Sequence, residues 1–168
     1  EQDKKIAGYA HEAGKGLLIV VNKWDLIEKE TNTMRDYERK IKAELLFASY
    51  APVVFTSVIN KLRIFDIIER CSRIADARSV RITTGRLNSI IEDAVMMRQP
   101  PSDKGRRLKI YYATQIGTKP PLFSFSINDR ELMHFSYARY LENKIREAFD
   151  FEGTSIKFVW NEKRGERK

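Results

Sequence analysis

A single cysteine, Cys71, stands among the 168 residues, which excludes an internal disulfide and a Cys-rich zinc site. The thiol count fits a reducing compartment, and a cytoplasmic location is expected. Long apolar runs are also missing. The most notable, Leu17-Leu18-Ile19-Val20-Val21, is five residues, against the roughly 20 that a bilayer requires, so no membrane partner is expected. The N-terminus does not resemble a signal peptide. Several chemical signatures are absent as well. No Gly-x-x-x-x-Gly-Lys-[Ser/Thr] loop can cradle phosphates, and no acidic turn is placed to hold magnesium against them. Gly14-Lys15-Gly16 is too short for that loop and reads as a helix stop. His11 and His134 lie far apart, in no metal-like spacing. No carboxylate pair is set for acid–base work, and no Gly-x-x-Gly clamp for four nucleotides is present.

Charge is present and uneven. The formal net charge is +8. Up to Arg78 there are 14 Lys/Arg against 12 Asp/Glu, and from Ser79 onward 17 against 11. The second half therefore carries most of the attraction for a polyanion such as nucleic acid. A solubilising surface is the plainer account of the same charges.

Hydrophobic spacing divides the chain near 76–84. Before that point helices and strands alternate. Positions 4–13 form a helix with Ile6, Tyr9, Ala10 and Ala13 on one side, ended by Gly14 and Gly16. The run 17–21 is apolar without alternation and predicts a strand buried on both faces. A helix over 33–48, a strand over 52–55 and a helix over 64–75 follow. Ile64, Ile67, Ile68, Cys71 and Ile74 are expected to face inward on the last. This is a piece of a parallel α/β layer, and two strands do not complete such a sheet.

The second half reads helix, strand, strand, helix, strand. Thr83 or Thr84 caps a helix to Met97, which Pro100 and Pro101 stop. Leu108, Ile110 and Tyr112 alternate with Lys109, Tyr111 and Ala113; Phe123, Phe125 and Ile127 alternate with Ser124 and Ser126. These predict two half-buried antiparallel strands. A helix over 136–149 carries Tyr137, Leu141, Ile145 and Ala148 on its core face. Gly153 then resets the chain into a last strand with Ile156, Phe158 and Trp160 together. Helices on one side of a three-stranded sheet are expected.

The sharpest local signal is Asn22-Lys23-Trp24-Asp25, directly after the first buried strand. Open parallel sheets hold ligands at the carboxyl ends of their strands. A carboxylate at Asp25 accepts from guanine N1–H and the exocyclic amine together, donors that adenine does not offer in that arrangement. Asn22 reaches the O6/N7 edge and the Lys23 stem lies along the ring. The plainer account is a polar turn. Phe55-Thr56-Ser57-Val58 ends the next strand, where backbone N–H groups complete a purine pocket and Ser57 braces the Asp25 loop. In the second half, Lys104, Arg106, Arg107 and Lys109 lead into Ile110-Tyr111-Tyr112. Basic side chains there meet phosphates while aromatics meet bases. An edge strand protected by charge gives the same pattern.

Taken together, these residues resemble a bacterial family of tandem-G-domain GTPases, Der, also called EngA, whose members end in a KH-like domain. The resemblance rests on Val20-Val21-Asn22-Lys23-Trp24-Asp25-Leu26, Arg107-Leu108-Lys109-Ile110-Tyr111-Tyr112-Ala113-Thr114-Gln115, Arg139-Tyr140-Leu141-Glu142-Asn143 and Phe151-Glu152-Gly153-Thr154. It implies an α/β fold: an incomplete P-loop GTPase-type parallel sheet at 1–78, the back part of the second G domain, then an α+β KH-like domain at 79–161. A disordered basic tail is expected at 162–168. It implies that Asn22, Lys23, Asp25, Ser57 and Val58 contact GTP or GDP, with Mg2+ held by residues outside this chain. Val58 stands where the family usually has Ala, and Ile59-Asn60-Lys61-Leu62-Arg63 lacks a Gly often found there. The implied partners are the large ribosomal subunit or its RNA and the remaining G-domain segments; a monomer is expected. The implied function is GTP hydrolysis in large-subunit biogenesis by the parent, with these 168 residues inactive alone. A stand-alone RNA-binding or bracing module without GTPase activity is the alternative.

Overall fold

The computed structural model describes residues 1–103 and 105–163. The chain forms two compact units. One comprises Glu1–Ser79 with Phe151–Ser155; the other comprises Val80–Asp150 and the chain from Ile156 onward. Segment 151–155, expected with the second module, clusters with the first unit.

The first unit is a parallel α/β layer of two strands. Helix α1 (Gln2–Glu12) ends at Gly14, whose φ of 64° suits the turn. Strands β1 (Ile19–Val21) and β2 (Val53–Phe55) pair in parallel, Val20 opposite Val54. Between them α2 (Thr33–Glu44) stops short of the expected helix; after Leu45 the chain tightens into a 3-10 turn, Leu46–Ala48. Helix α3 (Ile64–Ala77) follows. Segment 151–155 lies against the start of β1: Leu17 N–H donates to the Gly153 carbonyl at 2.7 Å, and Gly153 N–H to that of Tyr50 at 3.1 Å. Glu152 pairs with Arg70 at 2.7 Å and with Arg73 at 3.8 Å, both on α3.

Several apolar side chains expected inside this unit are exposed. Val20 is 41% exposed, so β1 is not buried on both faces. Ile6 and Tyr9 of α1 are 58% and 69% exposed, and Ile68 of α3 is 69% exposed. Cys71 is exposed too, not in the core. Of the five α3 positions expected to face inward only Ile74 is buried, because two strands offer too little sheet to cover the rest.

The second unit closes its own core. Helix α4 (Thr84–Met97) leads through a two-residue ladder of β3 (Ser102–Asp103) and β4 (Arg106–Arg107) to β5 (Ile110–Gly117). Strand β6 (Leu122–Ile127), helix α5 (Phe135–Ala148) and β7 (Lys157–Glu162) complete it, so Glu162 belongs to a strand and not to a tail. Residues 164–168 of the expected disordered tail lie outside the described residues. The sheet order is β5-β6-β7, antiparallel then parallel. Phe123, Phe125 and Ile127 on alternate positions of β6 are fully buried, with Leu87 and Ile91 of α4 and Leu141 and Ile145 of α5. Each such side chain contributes about 1.5–3 kcal/mol. Tyr137 and Tyr140 donate to the Arg98 and Ala94 carbonyls at the C-terminal end of α4, at 3.0 and 2.8 Å. Burial, then the neighbouring Tyr140, pushes the Tyr137 phenol up to about 12. Thr83 occupies the N-cap position of α4 but makes no capping bond through its side chain.

The alternation expected for β5 breaks at its start. A register shift between Ile110 and Tyr112 leaves Tyr111 and Tyr112 both exposed and turns Ala113 and Gln115 inward. Two amide side chains secure the strand. Asn88 of α4 accepts from Ala113 N–H and donates to its carbonyl, both at 2.8 Å, as a neighbouring strand would. Gln115 accepts from Ile82 N–H at 2.7 Å and donates to Val80 O at 2.9 Å.

Candidate functional site

The two loops singled out by sequence meet at the carboxyl ends of β1 and β2. Thr56 N–H donates to the Val21 carbonyl at 2.8 Å, and Trp24 N–H to the Thr56 carbonyl at 2.9 Å. Each loop thus continues the strand pairing by one bond. The turn between β1 and the 3-10 segment Trp24–Leu26 needs a left-handed residue, and Lys23 supplies it at φ 61°. Trp24 anchors the loop from below. It is buried, with its ring 4.4 Å from that of Phe55 and 5.3 Å, edge-on, from that of Tyr37 in α2. Asn22 and Lys23 remain exposed beside it.

Asp25 sits between the loops. Its carboxyl is held below the ordinary value of 3.8, first by a hydrogen bond from the Ser57 hydroxyl, then by its own backbone N–H, with Lys29 and Lys23 adding less and desolvation opposing. Oδ1 of Asp25 is shielded from solvent and has no hydrogen-bond partner. A braced carboxylate with one unsatisfied acceptor is a receptor for an N–H donor. Ser57 is fully buried, and its Oγ accepts from Asn60 N–H at 3.2 Å. Val58 is 60% exposed on the following loop. That loop manages without glycine: Lys61 and Arg63 take φ of 52° and 54°, and Ser57 bridges to Leu62. Sequence reasoning missed Trp24 as the anchor and the left-handed residues; the large apolar residue inside Asn-Lys-x-Asp was the available sign of the first.

The basic positions of the second unit are less uniform. Arg106 is engaged by Asp129 at 2.7 Å and Glu131 at 4.0 Å. Arg107 reaches Gln99 at 3.5 Å, and Lys109 is exposed while its N–H bonds to Asn128 at 2.8 Å. Lys104 lies outside the described residues. Among the described residues no group of His, Cys, Asp and Glu is arranged to hold a metal ion, and no helix is long and apolar enough to cross a membrane.

Comparison with known proteins adds to this geometry. Residues 81–161 match the family model described as the KH-domain-like, C-terminal domain of EngA bacterial GTPase enzymes. GTPase Der of Alkaliphilus oremlandii is 56% identical over 165 residues, covering 98% of this chain and 38% of that protein. GTPase Der of Desulfitobacterium hafniense is 52% identical over 168 residues, all of this chain and 38% of that protein. The Enterococcus faecalis protein of the same name is 53% identical over 159 residues, 95% and 36% of the two chains. The chain thus spans somewhat under two fifths of the length of these relatives. With the KH-like match over its second half and these identities running through its parallel-strand unit, the chain belongs to the Der (EngA) family.

Proposed function

We propose that the first unit supplies the guanine-recognising loops of a GTP-hydrolysing protein, and that the second docks that protein on RNA of the large ribosomal subunit. One observation carries the first part: the Asp25 carboxyl is held low with Ser57 as the first cause, and its Oδ1 is shielded and unpartnered. Guanine N1–H and N2–H are the donors that such an acceptor fits, while Asn22 and Lys23 stand exposed at the same edge and Val58 follows Ser57 across it. These residues choose the base and do nothing to the phosphates. The exposed Ile6, Tyr9, Val20 and Ile68 support the reading that further strands complete this sheet. Phosphate binding and Mg2+ are assigned to that remainder, because the sequence holds no Gly-x-x-x-x-Gly-Lys-[Ser/Thr] loop to cradle phosphates. The 168 residues alone are therefore expected to be inactive in hydrolysis.

The test is base choice in the full-length protein. Asp25→Asn is expected to weaken GTP roughly 100-fold while sparing xanthosine triphosphate, whose second carbonyl accepts from the new amide. Calorimetric titration with both nucleotides decides. Equal weakening of the two would remove Asp25 from direct pairing. For docking, the exposed Arg107 and Lys109 support phosphate contact more directly than Arg106, which Asp129 already occupies.

A further inference from the structure

Successive side chains of a regular strand face opposite sides of the sheet, so three neighbours do not line one cleft. At the start of β5 they do. Ile110, Tyr111 and Tyr112 together border a groove against α4, opposite Ile91, Glu92 and Met96. The bulge between Ile110 and Tyr112 permits this by setting two residues against one on β6. Bulges commonly re-aim side chains at functional positions. The groove holds about 280 Å³, just under the roughly 300 Å³ at which sites for drug-sized ligands begin. That is room for one flat group and too little for a helix.

Its chemistry points to a nucleobase. Tyr111 and Tyr112 are 52% and 48% exposed, so two aromatic rings stand open to stacking beside the largely exposed Met96. The Lys163 ammonium lies 5.6 Å from the centre of the Tyr111 ring. Lys109 and Arg107, both exposed, precede the groove residues on the chain. Against these three cations the groove itself offers one acid, Glu92. An aromatic, apolar recess with a cationic rim complements a base attached to phosphates. The Asn88 amide is already committed to Ala113 and Thr84, which leaves Glu92 as the side chain positioned to read an edge.

We propose that the α4–β5 groove takes one unstacked base of single-stranded RNA against Tyr111 and Tyr112, with Lys109 and Lys163 on the flanking phosphates. Glu92 accepts from the base, and favours guanine because N1–H and the amine present two donors side by side. This rests on the RNA-docking reading and narrows it to a strand and a base.

The probes are a fluorescein-labelled 12-nucleotide oligouridine with one central guanosine and a 12-base-pair RNA duplex, titrated by anisotropy into the full-length protein across a salt series. Tyr111→Ala with Tyr112→Ala is expected to weaken the single strand at least tenfold, leave its salt slope unchanged and leave the duplex within twofold. Tyr111→Phe with Tyr112→Phe keeps the rings and is expected to bind as the parent does, which separates stacking from misfolding. Glu92→Gln is expected to erase the preference for the guanosine strand over plain oligouridine. Lys109→Gln with Lys163→Gln should flatten the salt slope for both probes. If the double alanine variant binds the single strand like the parent while the lysine variant still flattens the slope, the groove proposal is overturned and phosphate docking stands. If neither probe binds the parent, both readings fall. A photo-crosslinker at position 112 that attaches to protein and not to RNA on ribosomal subunits also overturns the groove proposal.

Discussion

The two units use the same kinds of side chain in opposite ways. In the second, the aromatic face of β6 is spent entirely inside: Phe123 and Phe125 are fully buried, with the Phe158 and Trp160 rings against Phe125 at 5.1 and 4.7 Å. In the first, Phe65 of α3 is 81% exposed and Ile68 beside it 69%. The charges follow the same division, with the larger net positive share on the self-contained half. A unit that closes its own core is free to carry a binding surface on its outside. A unit that leaves apolar faces open has its function tied to whatever completes the sheet.

The sharpest way to break that contrast is a matched pair of truncations. In the 168-residue chain, Phe125→Ala is expected to cost about 3–5 kcal/mol, the transfer term plus an unfilled cavity. Phe65→Ala should stay within about 0.5 kcal/mol, because its ring is already in water. Chemical unfolding of both variants measures the difference. A large cost for Phe65→Ala would mean that its face is covered and that the contrast is false.

Next in size is Gly153. Its φ is +68°, and a Cβ there would lie 2.5 Å from Ile74 Cγ1 and 2.9 Å from the Leu17 carbonyl oxygen. Left-handed strain of ~1–2 kcal/mol and overpacking of ~1–3 kcal/mol act together. Gly153→Ala should therefore lose about 2–4 kcal/mol in denaturant unfolding. Because Gly153 sits within the first unit, hydrogen exchange should show the loosening in β1 and α3 before β6. Loosening in β6 first would place the segment with the second unit after all.

These cases show what was legible. The order of helices and strands was readable because periodicity is local: α5 was found within one residue, with Tyr137, Leu141 and Ile145 buried as expected. What covers a face is not local. Cys71 shares an apolar stripe with Ile74, yet Cys71 is exposed while Ile74 is buried close to Gly153, some 80 residues away. The bulge at Tyr111 was equally hidden, since it is a property of pairing with β6 and not of either strand alone. At the candidate base site the meeting of the two loops was legible, because both follow buried strands that pair in parallel and so end at one edge. The Trp24 anchor was not, because it needs Tyr37 and Phe55 in place.

The Ser57–Asp25 brace gives a smaller, signed prediction. Ser57→Ala removes the principal cause of the lowered Asp25 pKa, so the carboxyl should titrate closer to its ordinary 3.8. Carbon-detected NMR of the Asp25 side chain reads this directly. A group whose folded pKa is lowered stabilises the fold above its ordinary pKa and loses that contribution as pH falls through the lowered value. The parent should therefore be the more stable of the two at neutral pH. Part of that gap should close as the pH drops below 3.8. An Asp25 titration that does not move would break the brace.

The smallest effects compare one backbone conformation in the two units. Lys61, in the loop after Ser57, holds φ 52° with an L side chain; Gly105, in the β3–β4 turn, holds φ 77° with nothing within 4 Å of where a Cβ would stand. Lys61→Gly relieves steric strain but gives the unfolded chain more freedom, so a net gain of about 0.5 kcal/mol is expected. Gly105→Ala runs the exchange backwards in open space and should cost about 1 kcal/mol. Opposite signs in the two loops would show that backbone conformation alone sets both effects. If Lys61→Gly instead destabilised the chain, the left-handed loop would depend on the lysine side chain itself, and the route from Ser57 into α3 would be held by side-chain contacts and not by backbone geometry.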